Sequence, residues 1–73
     1  MKRKMESAIV KDKDILGGEP VFRGTRVPFK FLLEYLKGGD NLDEFLEQYP
    51  SVSRDLAVSA LEEARLSLVS QLK

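Results

Sequence analysis

Residues 41–57 read NLDEFLEQYPSVSRDLA, and this segment decides the fold. Asn41, with Glu44 three residues later, forms the capping box that begins a helix. Pro50 ends that helix, because proline cannot continue the backbone hydrogen-bond ladder. Ser53 is a favoured N-cap residue and begins the next helix. Two helices joined by the short turn at residues 50–52 predict a helix-turn-helix layout.

An amphipathic helix is predicted immediately before this segment. Pro28 suits a first helical position, and Gly38–Gly39 ends the helix as a C-cap. The apolar residues recur at the spacing i, i+3, i+4, i+7 of one helix face: Phe29, Leu32, Leu33 and Leu36. Phe31 and Tyr35 form a second apolar ridge, four residues apart.

A long helix is predicted after Ser53, since nothing breaks the helical pattern up to about Leu72. Its continuous apolar stripe consists of Ala57, Leu61, Ala64, Leu68 and Leu72. Val58, Leu66 and Val69 lie off this stripe. They are therefore the candidate residues for a dimer or partner surface.

The region before the helices carries β-type and turn signals. Ala8–Val10, Val21–Phe22 and Thr25–Val27 are short β-prone runs separated by glycines. Such strands are too short to be stable alone, so they must pair with each other or with a second chain. The predicted class is mainly α, with a β arm at 8–27 and helices at about 28–37, 41–49 and 53–71. These form one domain, 8–73, after a basic, flexible N-terminus at 1–7.

Composition limits the chemistry of the chain. Its 73 residues include no cysteine and no histidine, so disulfides are excluded and neither a metal nor a cofactor is expected. The commonest general base and the thiolate nucleophile are missing, which predicts that the chain is not an enzyme. No apolar run reaches membrane-spanning length. We expect no membrane partner and a cytoplasmic protein.

The net charge is zero, but the charges are unevenly distributed. Residues 1–27 carry seven basic and four acidic groups, whereas residues 28–50 carry two basic and five acidic groups. This asymmetry indicates either a nucleic-acid-binding arm or an ordinary solvated surface. The candidate nucleic-acid-binding residues are Lys2, Arg3, Lys4, Arg23, Ser53 and Arg54. The acidic second helix would repel a DNA backbone, which argues against DNA binding. Operator DNA is therefore an alternative partner rather than the leading one.

Residues 15–28, ILGGEPVFRGTRVP, resemble the signature of a small prokaryotic family, domain of unknown function 433 (DUF433). A capped short helix ending in Tyr49–Pro50 is also similar to that family, and so is the Ala60–Leu61 pair in a long helix. We interpret the signature positions as backbone geometry rather than as a ligand site: Gly17, Gly18, Pro20, Gly24, Thr25, Arg26, Pro28, Tyr49 and Pro50. Arg26 and Thr25 are expected to hold the arm to the helices, with Arg23 less constrained.

The resemblance implies a homeodomain-like, three-helix helix-turn-helix bundle. It further implies an antitoxin, a binding module that neutralises a toxin with a PIN-like ribonuclease fold and represses its own operon. Two alternatives stay open. One is a DNA-binding regulator without a toxin partner, and the other is a structural oligomerisation domain. Residues 62–65 lack an aromatic that the family often carries there.

The working unit is expected to be a homodimer. A domain of this size buries little surface, and without a disulfide or a metal it has few other means of stabilisation. The short strands and the off-stripe residues of the long helix are the two places where a second copy would contact the first.

Overall fold

The computed structural model describes residues 6–72. Across these residues the chain forms an antiparallel pair of strands, β1 (Ile9–Val10) and β2 (Val21–Phe22), and a single 3₁₀ turn, Leu16–Gly18. Three helices follow: α1 (Phe29–Lys37), α2 (Leu42–Gln48) and α3 (Arg54–Gln71). The mainly α class with a short β arm and three helices is thereby confirmed.

The β arm is closed by hydrogen bonds within the chain. Ile9 pairs with Phe22 and Val10 with Val21, and Val21 also bridges to Pro28. A tight turn follows β2, in which the Thr25 amide donates to the Phe22 carbonyl at 2.9 Å. Gly24 occupies its third position with φ 79°, which a type II turn requires and which glycine tolerates best. The strands therefore pair with each other and need no second chain.

Helix α1 begins one residue later than the sequence predicts. Pro28 is its N-cap, in an extended conformation with ψ 138°. The bridge to Val21 and the hydrogen bond from the Phe29 amide to the Pro20 carbonyl, 3.0 Å, keep this position part of the arm. The arm and the first helix are consequently joined without a flexible linker.

A Schellman motif ends α1. The Asp40 amide donates to the Tyr35 carbonyl at 2.9 Å, and the Gly39 amide donates to the Leu36 carbonyl at 3.1 Å. Gly39 has φ 95°, the left-handed conformation that this motif needs at its C′ position. The motif turns the chain sharply and brings Asp40 back towards Tyr35.

Side-chain caps begin α2 and α3 as the sequence predicts. The Asn41 side chain accepts from the Glu44 amide at 2.9 Å, and the Glu44 carboxylate accepts from the Asn41 amide at 2.7 Å. Ser53 Oγ accepts from the Leu56 amide at 3.1 Å. The turn between the two helices buries Val52. This is the sequential layout of a helix-turn-helix.

All six aromatic residues of the chain belong to one cluster of ring contacts. Phe45, fully buried on α2, lies 5.9 Å from Phe22, 5.5 Å from Tyr35 and 5.1 Å from Tyr49 between ring centroids. Phe22 also contacts Phe29 edge to face at 5.8 Å. The cluster connects the arm to α1 and α2, while Ala57 and Ala60 bring α3 close to the same core.

The buried face of α1 differs from the predicted stripe. Leu32 is fully buried, but Leu33 and Leu36 are each 39% exposed. Phe31 and Tyr35 pack against the core instead. Their larger rings reach α2, where aromatic packing removes more apolar surface from water than the leucines would. The predicted face was therefore wrong for two of its four residues.

Within residues 6–72, the helices fall short of the length and apolar character that a membrane crossing needs.

Replacing Phe22 with alanine tests the aromatic connection between arm and helices. The Phe22→Ala variant should lose about 3–5 kcal/mol of unfolding free energy, because a fully buried ring leaves a cavity. Leu33→Ala, a change at a partly exposed position outside the ring cluster, should cost about 1 kcal/mol or less. Urea denaturation of both variants checks this. Equal costs would show that the arm is not held by its ring.

Candidate functional site

Glu63 of α3 holds the N-terminal segment against the helices. Its carboxylate accepts hydrogen bonds from the Ala8 amide and the Ser7 hydroxyl, each at 2.8 Å. Ala8 is buried at this contact. A charged acceptor makes such bonds stronger than neutral ones. The first strand is thus anchored to the last helix, 55 residues away along the chain.

Arg23 also holds the N-terminal segment in place. Its guanidinium donates to the carbonyl oxygens of Ser7 and Glu6, and its Nε lies 3.4 Å from the Glu6 carboxylate. Arg26 forms no hydrogen bond or ion pair with any residue in the 6–72 segment. This reverses the expectation for the two arginines: Arg23 is the one that holds the arm, and Arg26 is the less constrained.

The other signature positions also shape the backbone. Gly17 and Gly18 lie in the 3₁₀ turn that follows β1, and Pro20 and Gly24 flank β2. The Thr25 hydroxyl donates to the Phe22 carbonyl at 2.8 Å and accepts from the Val27 amide at 3.0 Å. Tyr49 is the C-cap of α2, and Pro50 begins the turn to α3. Their contacts support the interpretation as backbone geometry.

The candidate nucleic-acid-binding residues are not brought together as an uncompensated basic surface. Arg54 pairs with Asp43 of α2, and the Ser53 hydroxyl caps α3. Arg23 contacts Glu6 and two carbonyls. Lys2, Arg3 and Lys4 lie outside the described residues. The three candidates within residues 6–72 therefore already have partners within the fold.

An uncovered apolar surface runs along α3, and we call it the α3 face. Its members and their exposed fractions are Val58 50%, Leu66 53%, Leu68 57%, Val69 54% and Leu72 73%. At 100° per residue they fall within an arc of about 160°. The predicted stripe is buried at Ala57 only, and its later members Leu68 and Leu72 join the exposed set. The core ends near Leu61, whereas the helix continues to Gln71.

An ion pair lies within the α3 face. Arg65 Nε donates to the Glu62 carboxylate at 2.9 Å. This hydrogen bond, together with the charge of Arg65, lowers the pKa of Glu62 below its usual value, and the same contact raises the pKa of Arg65. The face therefore combines apolar side chains with one acid and one base.

A shallow groove of about 400 Å³ opens between α1 and the end of α2. Its lining consists of Phe31, Glu34, Tyr35, Asp40 and Tyr49. The Phe31 and Tyr49 ring centroids lie 5.9 Å apart, and those of Tyr35 and Tyr49 lie 6.1 Å apart. Burial raises the pKa of the Tyr35 hydroxyl above its usual value, and Tyr49 and Asp40 add to the rise. We call this feature the aromatic groove.

A metal centre receives no support within residues 6–72, where acidic side chains do not gather into a group that could hold an ion.

A family model described as a protein of unknown function, DUF433, matches residues 9–64. This match covers most of the chain. The chain belongs to the DUF433 family. The membership confirms what residues 15–28 indicate, and it carries no activity with it, because the family's function is not assigned.

Two relatives of this DUF433 chain extend the comparison. The uncharacterized protein y4eO of Sinorhizobium fredii (strain NBRC 101917 / NGR234) is 38% identical over 47 residues, covering 64% of this chain and 21% of that protein. The crystal structure of a DUF433 member from Anabaena variabilis ATCC 29413 superimposes with a TM-score of 0.72 at 23% identity, covering 89% of this chain and 64% of that one. The chain thus spans about a fifth of y4eO and under two thirds of the solved structure. The likeness to the solved structure shows the fold.

Sequence reasoning missed two features of this DUF433 chain. The anchoring role of Glu63 has no local signal, because its partners Ser7 and Ala8 are distant in sequence. The sequence partly indicated the aromatic groove, because Phe31 and Tyr35 form an apolar ridge on the first helix. A ridge of this spacing is equally typical of a helix face that packs in the core. Only the fold places Tyr49 opposite that ridge.

The anchor of the N-terminal segment can be tested with matched substitutions of two glutamates. Glu63→Ala should lower the unfolding free energy by about 1–2 kcal/mol, since two hydrogen bonds to a carboxylate are lost. Glu47→Ala, at an exposed glutamate of α2 outside the anchor and outside the α3 face, should cost about 0.5 kcal/mol or less. In Glu63→Ala the Ala8 amide should also exchange with solvent faster. Unchanged protection of Ala8 would refute the anchoring role.

Proposed function

We propose that this chain is a non-catalytic protein-binding module that acts as an antitoxin. In this role it binds and silences a ribonuclease of PIN-like fold. The α3 face, five apolar side chains that no part of residues 6–72 covers, carries the protein-binding part of the proposal, whereas the ribonuclease as partner rests on the family resemblance. Exposed apolar surface of this extent on a small domain is typical of a protein–protein contact.

The ribonuclease partner comes from the resemblance to DUF433 proteins, many of which look like antitoxins. A non-catalytic role agrees with the residue chemistry, since the chain contains neither histidine nor cysteine. A cysteine-free chain is also suited to the cytoplasm, the compartment we infer for it.

We infer that the α3 face is covered by a second copy of the chain. Under a two-fold axis the same surface meets itself, so each acidic group can face the partner copy's basic group. Glu62 and Arg65 lie within the face and give it this self-complementary charge. The apolar side chains around them supply the burial that a domain of this size lacks. The structure adds Leu68 and Leu72 to the surface expected from Val58, Leu66 and Val69.

Operon repression would require the chain to bind DNA. Affinity for DNA depends on neutralising phosphates, yet Arg54 pairs with Asp43 and Arg23 with Glu6. No observation within residues 6–72 favours DNA over a protein partner.

Co-expression with the product of the neighbouring reading frame tests the antitoxin role. If that product is the toxin, its expression alone should stop growth and degrade RNA, and co-expression of this chain should restore growth through a complex that survives purification. A Phe22→Ala variant, destabilised in its core, serves as the control and should protect less. A neighbour that is harmless, or that forms no complex, would contradict the proposal.

The homodimer can be tested by placing charge on the α3 face. Leu68→Glu combined with Val69→Glu should convert the dimer to a monomer and lower its thermal midpoint, because apolar burial across the axis is lost. Leu36→Glu, an exposed position on α1, is the matched control and should remain dimeric. Sedimentation across a concentration range measures the outcome, and the wild-type midpoint should rise with concentration.

A wild-type chain that sediments as a monomer at high micromolar concentration, with a midpoint independent of concentration, would contradict the dimer.

A further inference from the structure

We propose that the aromatic groove is a binding site for an arginine side chain presented by a protein partner. The groove is separate from the α3 face and is formed by different helices. The inference rests on the proposed function only for the source of the arginine, which is the partner that the antitoxin binds. The site itself is defined by the chemistry of five side chains.

Three partly exposed aromatic rings form the walls of the aromatic groove. Phe31, Tyr35 and Tyr49 are half-buried, so each ring is held by the core while part of it lines the groove. The Tyr49 ring contacts both of the others: its centroid lies 5.9 Å from that of Phe31 and 6.1 Å from that of Tyr35. A planar guanidinium group stacks on aromatic faces, where the ring quadrupole attracts the cation.

The aromatic groove is also acidic. Glu34 and Asp40 line the same groove, and neither forms an ion pair with another residue of the 6–72 segment. Two carboxylates beside aromatic rings offer the hydrogen-bond acceptors that the donors of an arginine fork require. An anionic ligand would be repelled, and a neutral apolar ligand would leave both carboxylates beside it without compensation.

The backbone at the end of α1 places Asp40 at the wall of the aromatic groove. Asp40 is fixed by the Schellman motif, through its amide hydrogen bond to the Tyr35 carbonyl at 2.9 Å. Its side chain takes no part in that motif. Asp40 is therefore held next to Tyr35 along the backbone, and within residues 6–72 its carboxylate has no hydrogen bond or ion pair that a ligand would have to displace.

The arginine side chains expected on a ribonuclease partner fit this site. A ribonuclease must bind a phosphate backbone, which proteins do with clusters of arginine and lysine. An acidic groove that accepts one of those arginines would compete with RNA for the same side chain. The structure thus assigns to α1 and α2 a role distinct from the apolar role of α3.

The test uses the full chain and short peptides. The probe is an N-acetylated, C-amidated Gly-Arg-Gly peptide, compared with Gly-citrulline-Gly and Gly-Lys-Gly. Both tyrosines of the chain line the groove and tryptophan is absent, so tyrosine fluorescence reports on this site alone. We expect the arginine peptide to bind with a dissociation constant on the order of 1 mM, as a few exposed contacts allow. The citrulline and lysine peptides should bind at least about fivefold more weakly.

The matched variant pair identifies the carboxylates. Glu34→Gln combined with Asp40→Asn keeps the size of both side chains and should weaken arginine binding about tenfold, while the circular dichroism spectrum stays unchanged. Glu47→Gln removes an exposed acid of α2 outside the groove and should leave the affinity unchanged. Equal binding of the citrulline or lysine peptide, or unchanged affinity in the double variant, would overturn the proposal.

The same double variant separates this inference from the proposed function. If the neighbouring product forms no complex with the wild type, the antitoxin role fails, while the peptide result still decides the groove. If a complex forms and the double variant binds as tightly as the wild type, the antitoxin role stands and the groove is not its arginine site.

Discussion

The contacts of the Phe45 ring are the constraint on which the rest of this structure depends. Phe45 touches Phe22 of the arm, Tyr35 of α1 and Tyr49 at the end of its own helix. Each such pair contributes about 0.5–1.5 kcal/mol beyond the apolar area it buries. In a chain without disulfides, this one buried ring joins elements that hydrogen bonds alone would leave loosely connected. The packing of α3 adds only small residues, Ala57 and Ala60, to the same core.

The same ring cluster produces the surface features that suggest function. Phe31, Tyr35 and Tyr49 are too large to be enclosed by helices this short, so their outer faces remain accessible and line the aromatic groove. On the other side, α3 is longer than the core it packs against. Its last turns carry leucines and valine that cannot reach the interior. Both candidate surfaces therefore follow from a core that is small relative to the elements around it.

Local rules in the sequence predicted the elements of the fold. The Asn41 capping box, the Ser53 cap and the glycines after α1 act over three or four residues, and each operates in the structure as expected. Choosing the buried face of α1 was harder, because Leu33–Leu36 and Phe31–Tyr35 both have helical spacing. The Phe31–Tyr35 face packs inwards because its rings are large enough to reach α2, and the position of α2 cannot be read from the sequence of α1 alone. Long-range contacts such as Glu63 to Ala8 could not be predicted, since no local pattern encodes a partner 55 residues away.

The two proposed surfaces differ in the physics of their binding, which makes them separable. Association along the α3 face would depend on burying apolar side chains, a driving force that moderate salt does not weaken. Recognition of arginine at the aromatic groove would depend on two exposed carboxylates, whose attraction falls as salt screens it over a Debye length of about 8 Å at physiological ionic strength. A module built in this way can remain a dimer while its hold on a basic partner varies with the ionic and nucleic-acid environment. Because RNA would compete for the same arginines, the partner's own substrate would loosen the groove contact and leave the α3 contact intact.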